Sequence, residues 1–339
     1  MAAEHSAFAE FHDELRSVAG DLLAKDREVG WPVLVEAGWT GLEIPEEFGG
    51  AGAGFAETAV ICEEIGRAAA STGYLGMVLA VGALQASMPG TLRDELLAGI
   101  ASGEVRPVVV PGGFQLRGGK LYGTAEFVPD ASGADRLLVV AAADDGAPVL
   151  VDAAGLSVTP QPVVDETRQL TTVSADGLAV TGVLDGDATR VVSALRDRGA
   201  VAIACDSLGL AQAMLDATVS YVKVRNQFGR AIGSFQAVKH ACADMMVSLA
   251  VSRQLVTAAV TAVATGADAG TAASMAKAHA TAGAVDIAGK AMQLHGGIGY
   301  TWESGIHVYL KRAALNRSLF GSPAAHRQKL AQRYNESRS

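Results

Sequence analysis

Proline is missing from nearly half of this sequence. Nine of its ten prolines lie at or before Pro162 and the tenth is Pro323, so Val163 to Ser322 has none. Proline costs about 3 kcal/mol inside a helix, so its absence leaves nothing of that kind to break long helices there. Cysteine is scarce as well. Cys62, Cys205 and Cys242 are far apart, odd in number and form no C-x-x-C pair, which argues against a zinc site or a disulfide framework and for free thiols in a reducing compartment. Basic residues are outnumbered, 27 Lys and Arg against 36 Asp and Glu, for a formal net charge of −9. Such a chain repels phosphate backbones, and nucleic acid is not an expected partner. Long apolar runs are wanting too. Leu255 to Ala264 carries two threonines and is too short to span a bilayer. Met1 to Asp21 is studded with Glu, His, Asp and Arg and has no apolar signal-peptide core, so a cytoplasmic location is expected. No internal repeat or low-complexity tract is evident.

What is present divides into three segments. From Phe8 to about Leu97 the pattern is helical, and in Glu57 to Gly66 the spacing puts Val60, Ile61 and Ile65 on one face. Between Arg106 and Asp187, Leu137–Val140, Val149–Val151 and Leu178–Val180 are short apolar runs bounded by Gly, Asp and Pro, which predicts strands in a small antiparallel domain. From about Arg190 onward Ala, Leu, Met and Gln dominate and predict long helices, with turns at Gly266–Gly270 and Gly296–Gly299. The expected fold class is α+β: a helical domain at 1–105, a β domain at 106–187 and a helical bundle at 188–339.

Three motifs are specific. Tyr221 to His240 (YVKVRNQFGRAIGSFQAVKH), followed by Ala243–Met245, resembles a signature of the acyl-CoA dehydrogenase family. Gln293 to Glu303 (QLHGGIGYTWE) resembles its second C-terminal signature, and Gly38 to Gly50 (GWTGLEIPEEFGG) also resembles the family. The resemblance runs from about residue 36 to the C-terminus. It implies an N-terminal helical domain, a middle β-barrel-like domain and a C-terminal four-helix bundle, with FAD as cofactor. It matches Arg225, Phe228, Gln293 and Gly297, and more weakly Ile232 and Gln236, to positions that contact FAD across a subunit interface. The chemistry of these residue types agrees. A guanidinium suits a diphosphate, an aromatic ring suits adenosine, and Gly296 and Gly297 allow close backbone approach. Taken singly, an Arg at a helix end is a dipole partner and a Gly-Gly pair is a C-cap. His295 reads as a structural hydrogen-bonding residue, and Tyr300, Trp302 and Glu303 as packing or interface residues.

The family's catalytic Glu is missing. The resemblance puts Phe320 at its usual position and Gly199 at its other known position, and neither side chain takes a proton. Asp197 and Asp206 are the nearest acids, and each is out of register on the helix. The family's flavin-holding loop corresponds to Pro107–Phe114, which has neither hydroxyl nor acid, and Pro129 stands where a Thr would meet the flavin. Residues lent to a neighbour are kept while those for an own site are lost. This pattern is similar to the shorter, non-catalytic subunits of actinobacterial steroid-side-chain acyl-CoA dehydrogenases, which pair as α2β2 tetramers with a longer homologue carrying the Glu. It implies a shared FAD and an acyl-CoA substrate, although no residue here reads a sterol. A self-sufficient flavoenzyme using another base and a flavin-free scaffold are the alternative readings.

Overall fold

The structure, a computed structural model, describes residues 2–336. Met1 and residues 337–339, at the outer ends of the first and third predicted segments, lie outside the described residues. The chain runs α1 (Ala2–Lys25), β1 (Glu28–Val29), α2 (Trp31–Glu36), α3 (Phe55–Ala68), β2 (Ser71–Thr72), α4 (Tyr74–Ala86) and α5 (Thr91–Ala101). The strands β3 (Pro107–Arg117), β4 (Lys120–Pro129), β5 (Arg136–Ala142), β6 (Pro148–Ala153), β7 (Ser157–Gln161), β8 (Leu170–Ala179) and β9 (Gly182–Leu184) follow. The last part holds α6 (Ala188–Val224), the short strands β10 (Asn226–Gln227) and β11 (Arg230–Ala231), α7 (Gln236–Ala264), α8 (Gly270–His295), α9 (Ile306–Ser318) and α10 (Pro323–Glu336). This is the helical, β, helical order expected from the sequence. Contacts gather the chain into two compact units, one of Met1–Arg27, Ala59–Ala70 and Ala200–Ser339, the other of Glu28–Thr58 and Ser71–Gly199.

The second unit is built on a seven-stranded sheet in the order β7-β8-β4-β3-β5-β6-β9. The predicted runs Leu137–Val140 and Val149–Val151 pair as neighbours in β5 and β6. The sheet is not wholly antiparallel as expected, because β3 and β5 run parallel. The β3–β4 hairpin lies on one side of β3 and the chain then crosses to the other side, so β5 enters in the direction of β3. Hydrophobic burial holds the sheet together, with Val108, Val110, Leu121, Val139, Val151 and Val173 fully buried in one cluster.

The first unit is helical. The proline-free stretch supplies α6, α7 and α8, and Gly266 takes a left-handed φ in the turn between α7 and α8. The predicted apolar face of α3 is real: Val60, Ile61 and Ile65 are buried. Two glycines set how closely α3 and α6 pack. A Cβ at Gly66 would lie 1.9 Å from the Asp206 carbonyl oxygen, and one at Gly209 would lie 1.8 Å from that of Glu63. The short run Leu255–Ala264 turns out to be the end of a longer apolar helix. Both α6 and α7 are long and apolar enough, by length and composition, to cross a bilayer. The apolar window of α6 is 78 % buried in protein, whereas that of α7 is only 22 % buried. Met246, Val247 and Val251 of α7 are exposed.

Candidate functional site

The first unit brings one group of the sequence-predicted residues together. α6 ends at Val224, and the Arg225 N–H closes its last turn by donating to the Tyr221 carbonyl at 2.9 Å. The Arg225 side chain is exposed, and no side chain or carbonyl among the described residues holds it. β10 and β11 form a two-residue hairpin with Phe228 and Gly229 at its tip. Both tip residues have positive φ, 53° and 76°, as the tightest hairpin turns require. Gly adopts this at no cost, but a bulky aromatic rarely does. Phe228 is also 91 % exposed, and its ring meets that of Phe235 edge-on at 6.2 Å. The tip therefore carries both backbone strain and an uncovered ring, neither of which the rest of this unit repays.

Beside the hairpin lies a groove of about 470 Å³ lined by Gln227, Phe228, Ile232, Phe235, Lys290 and Gln293, among others. Of the predicted residues it collects Phe228, Ile232 and Gln293. Arg225, Gln236, Gly296 and Gly297 are exposed and do not line it. Gly296 caps α8 with a φ of 61°, and a Cβ placed on Gly296 or Gly297 would meet nothing within 4 Å. The backbone after α8 is thus open to close approach. Sequence reasoning missed Lys290 and Phe235. Lys290 sits one turn before Gln293 and donates to its Oε1 at 3.3 Å, a spacing that could have flagged it. His295 is structural as expected: buried, hydrogen-bonded to the Ala291 carbonyl at 2.8 Å and stacked on Tyr221 at 4.4 Å. Tyr300 and Trp302 are exposed.

The acids and the two positions without them tell a different story. Asp206 is 3 % exposed. Arg312 grips both of its carboxylate oxygens, at 3.0 and 2.5 Å, and Asn316 donates to one at 2.6 Å. Asp206 thus joins α6 to α9, with both carboxylate oxygens engaged. Phe320 is half-buried after α9 with a φ of 54°, and its carbonyl accepts from His326 Nε2 at 2.9 Å. The next carbonyl, of Gly321, accepts from Lys277 Nζ at 2.7 Å. Lys277 is fully buried with no carboxylate partner among the described residues; it also reaches the Arg317 carbonyl at 3.4 Å. Burial pushes its pKa down to about 8, and the carbonyl end of α9 offers the ammonium its compensation. The segment around Phe320 is therefore pinned from two sides.

In the second unit, Gly199 is buried in α6, and its neighbour Arg198 is a buried, paired cation. The Arg198 guanidinium meets Glu43, donates through Nε to the Val78 carbonyl at 2.8 Å and lies over the Phe55 ring at 4.5 Å. Glu43, from the GWTGLEIPEEFGG motif, is thereby committed to structure. Pro107–Phe114 is no loop but part of β3, with a bulge between Val110 and Phe114. Val108, Val109 and Val110 are core residues there. Pro129 is buried at the end of β4, opposite Leu170, between two non-glycine residues of positive φ, Phe127 and Asp130. The Asp130 carboxylate accepts from the Gly76 N–H at 2.8 Å and so caps the start of α4.

Comparison with known proteins places this architecture. Residues 4–104 match the acyl-CoA dehydrogenase N-terminal domain, and residues 189–335 match the acyl-CoA dehydrogenase C-terminal domain. Acyl-CoA dehydrogenase IpdE2 of Mycolicibacterium smegmatis is 34 % identical over 301 residues, covering 88 % of this chain and 86 % of its own length. The structure of a variant of the Tcur3481–Tcur3483 steroid ACAD superposes with a TM-score of 0.87 at 29 % identity, covering 97 % of this chain and 99 % of that one. The ChsE4–ChsE5 complex of Mycobacterium tuberculosis gives a TM-score of 0.84 at 25 % identity, over 96 % and 97 % of the two chains. With its three motifs, its helical, sheet and helical architecture and these relatives, the chain belongs to the acyl-CoA dehydrogenase family.

Proposed function

We propose that this chain is the non-catalytic subunit of a heteromeric, FAD-dependent acyl-CoA dehydrogenase, and that it lends residues to a cofactor seated mainly on a longer homologous partner. The observation that carries the reading is that no carboxylate stands at either of the family's Glu positions, while Asp197, the other nearby acid, is out of register on α6. Phe320 and Gly199 stand at the family's two Glu positions, and Asp206 is tied up with Arg312 and Asn316. α,β-Dehydrogenation of a thioester needs a base for the α-proton, and bound flavin supplies the hydride acceptor.

The residues fit one part of FAD and not another. The free Arg225 guanidinium suits the diphosphate, Phe228 and the groove beside it suit the adenosine, and the open backbone at Gly296 and Gly297 suits close approach of a cofactor. Gln293, Ile232 and Gln236 would complete that contact surface. The flavin ring finds no such reception: Pro129 offers neither hydroxyl nor N–H, and β3 presents core valines where the family carries its flavin-holding loop. A strained, exposed Phe228 and an uncovered apolar α7 are what a chain completed by a partner would carry. A steroid ACAD and a two-chain complex among the similar structures support an acyl-CoA thioester with a steroid side chain as the substrate class and a second acyl-CoA dehydrogenase chain as the partner.

Expression of the chain alone tests this. The expected product binds well under one FAD per chain and turns over no acyl-CoA, and co-expression with the Glu-bearing homologue restores both. A stoichiometric flavin spectrum with turnover from the chain alone would overturn the reading.

A further inference from the structure

A cavity in the second unit holds a guanidinium, that of Arg106, which no carboxylate grips among the described residues. It measures about 410 Å³ and is lined by Trp31, Ser71, Thr72, Arg106 and Gln169, with Glu28 and Glu166 exposed at its rim. Arg106 is half-buried, and its Nε is fully buried without a hydrogen-bond partner. Among the described residues no carboxylate pairs with it. The nearby Asp135 is spent on the Arg106 backbone: its carboxylate accepts the Arg106 N–H at 2.9 Å, and its own N–H donates to the Arg106 carbonyl at 2.9 Å. The buried guanidiniums of Arg198 and Arg312, by contrast, each meet a carboxylate. Burying part of a cation without a partner is costly, so an unpaired one in a polar cavity calls for an anion.

The surroundings are shaped around that guanidinium. A Cβ at Gly73 would lie 2.3 Å from Arg106 Nη2, so glycine there gives the group its room. Trp31 packs under it at 5.9 Å and is itself held by donating from Nε1 to the Gly103 carbonyl at 2.9 Å. Ser71 and Thr72, with their hydroxyls, form β2, which pairs with β1. The rim acids disfavour a ligand with several negative charges, such as a nucleotide or a phosphomonoester. A single carboxylate satisfies Arg106 in a two-pronged geometry, and the indole face accepts a short apolar tail.

We propose that this cavity binds the carboxylate of a small organic acid, held by Arg106 beside Trp31. The proposal is independent of the flavin chemistry above. The test is titration of the full chain with acetate, butyrate and inorganic phosphate at constant ionic strength, followed by calorimetry, thermal unfolding and tryptophan fluorescence. Butyrate is expected to bind one site per chain, to raise the Tm and to change a fluorescence signal that Trp31→Phe removes, with phosphate weaker. Arg106→Gln should weaken butyrate by about tenfold or more while leaving the Tm in chloride buffer unchanged or higher. Gly73→Ala, which crowds the guanidinium without removing the charge, should also weaken it and serves if Arg106→Gln does not fold. The proposal is overturned by any of three results: no saturable carboxylate binding, phosphate bound more tightly than butyrate, or butyrate binding undiminished in both variants. A Tm loss in Arg106→Gln that is the same with and without butyrate would likewise make Arg106 a purely structural residue.

Discussion

Two regions of this molecule differ in how far their bonding capacity is spent. The surface from Arg225 to Gln236, with the end of α8, is exposed, strained at Phe228 and left open at Gly296 and Gly297. The positions that would serve an active site of its own are filled in. Gly199 is buried beside the Arg198–Glu43 pair, Pro129 is buried at the end of β4, and Phe320 is pinned through its carbonyl and that of Gly321. The first region has bonding capacity that nothing in its own unit uses, and the second has spent its capacity on structure. The proposed supporting subunit would show that contrast.

The contrast breaks most sharply at Asp206. If it were a base, Asp206→Ala would abolish turnover and leave the fold intact. As a structural ion, its loss strands the Arg312 guanidinium in the core, and breaking a buried pair costs about 3–5 kcal/mol. Chemical denaturation of the isolated chain should show that loss of stability.

Lys277 is expected to give the next largest effect. Its native pKa is lowered from 10.5 to about 8 by burial. Below pH 8 the ammonium is charged in both states and the cost of burying it is carried in full. Between about pH 8 and 10.5 the native state has lost the proton and the unfolded chain has not, so stability rises with pH by up to about 3 kcal/mol. Lys277→Met should flatten that rise relative to the parent chain in denaturant titrations across this window. An equal rise in both proteins would mean that Lys277 titrates normally.

Arg225→Ala should be smaller for this chain and larger for the assembly. The side chain is exposed, so stability of the isolated chain should change by less than about 0.5 kcal/mol. Each charge-assisted bond to a diphosphate contributes about 1.5–3 kcal/mol, so FAD affinity of the complex should fall about tenfold or more. Flavin titration of the wild-type and variant complexes checks it; unchanged affinity would reduce Arg225 to a helix-end charge.

Much of this was legible in the sequence because it is local. The proline-free stretch foretold α6 to α8, the alternation of apolar runs and turn residues foretold β5 and β6, and the Gly-Gly pair foretold the end of α8. What escaped notice depends on residues far apart in the chain. Asp206 meets Arg312 across 106 positions, and no spacing rule joins them. Lys277 reads as an ordinary surface lysine until the carbonyls of α9 fold over it. The parallel pairing of β3 with β5 follows from a crossover that leaves no mark on either strand. In the candidate site, Phe228, Ile232 and Gln293 line one groove, which their separate motifs do not state, and the strain at Phe228 is invisible without backbone angles.

As the proposed supporting subunit, this chain would complete a proton-abstracting site without holding one. Steady-state dehydrogenation of acyl-CoA by two variant complexes tests it most directly. One carries Phe320→Glu in this chain, and the other lacks the catalytic Glu of the longer partner. A general base contributes about 10²–10⁴-fold only where the rest of a site exists, and here Pro129 and the core valines of β3 stand in its way. The expected result is no gain from Phe320→Glu and complete loss of turnover in the second complex. Activity gained in the first, or retained in the second, would contradict the account and give this chain an active site of its own.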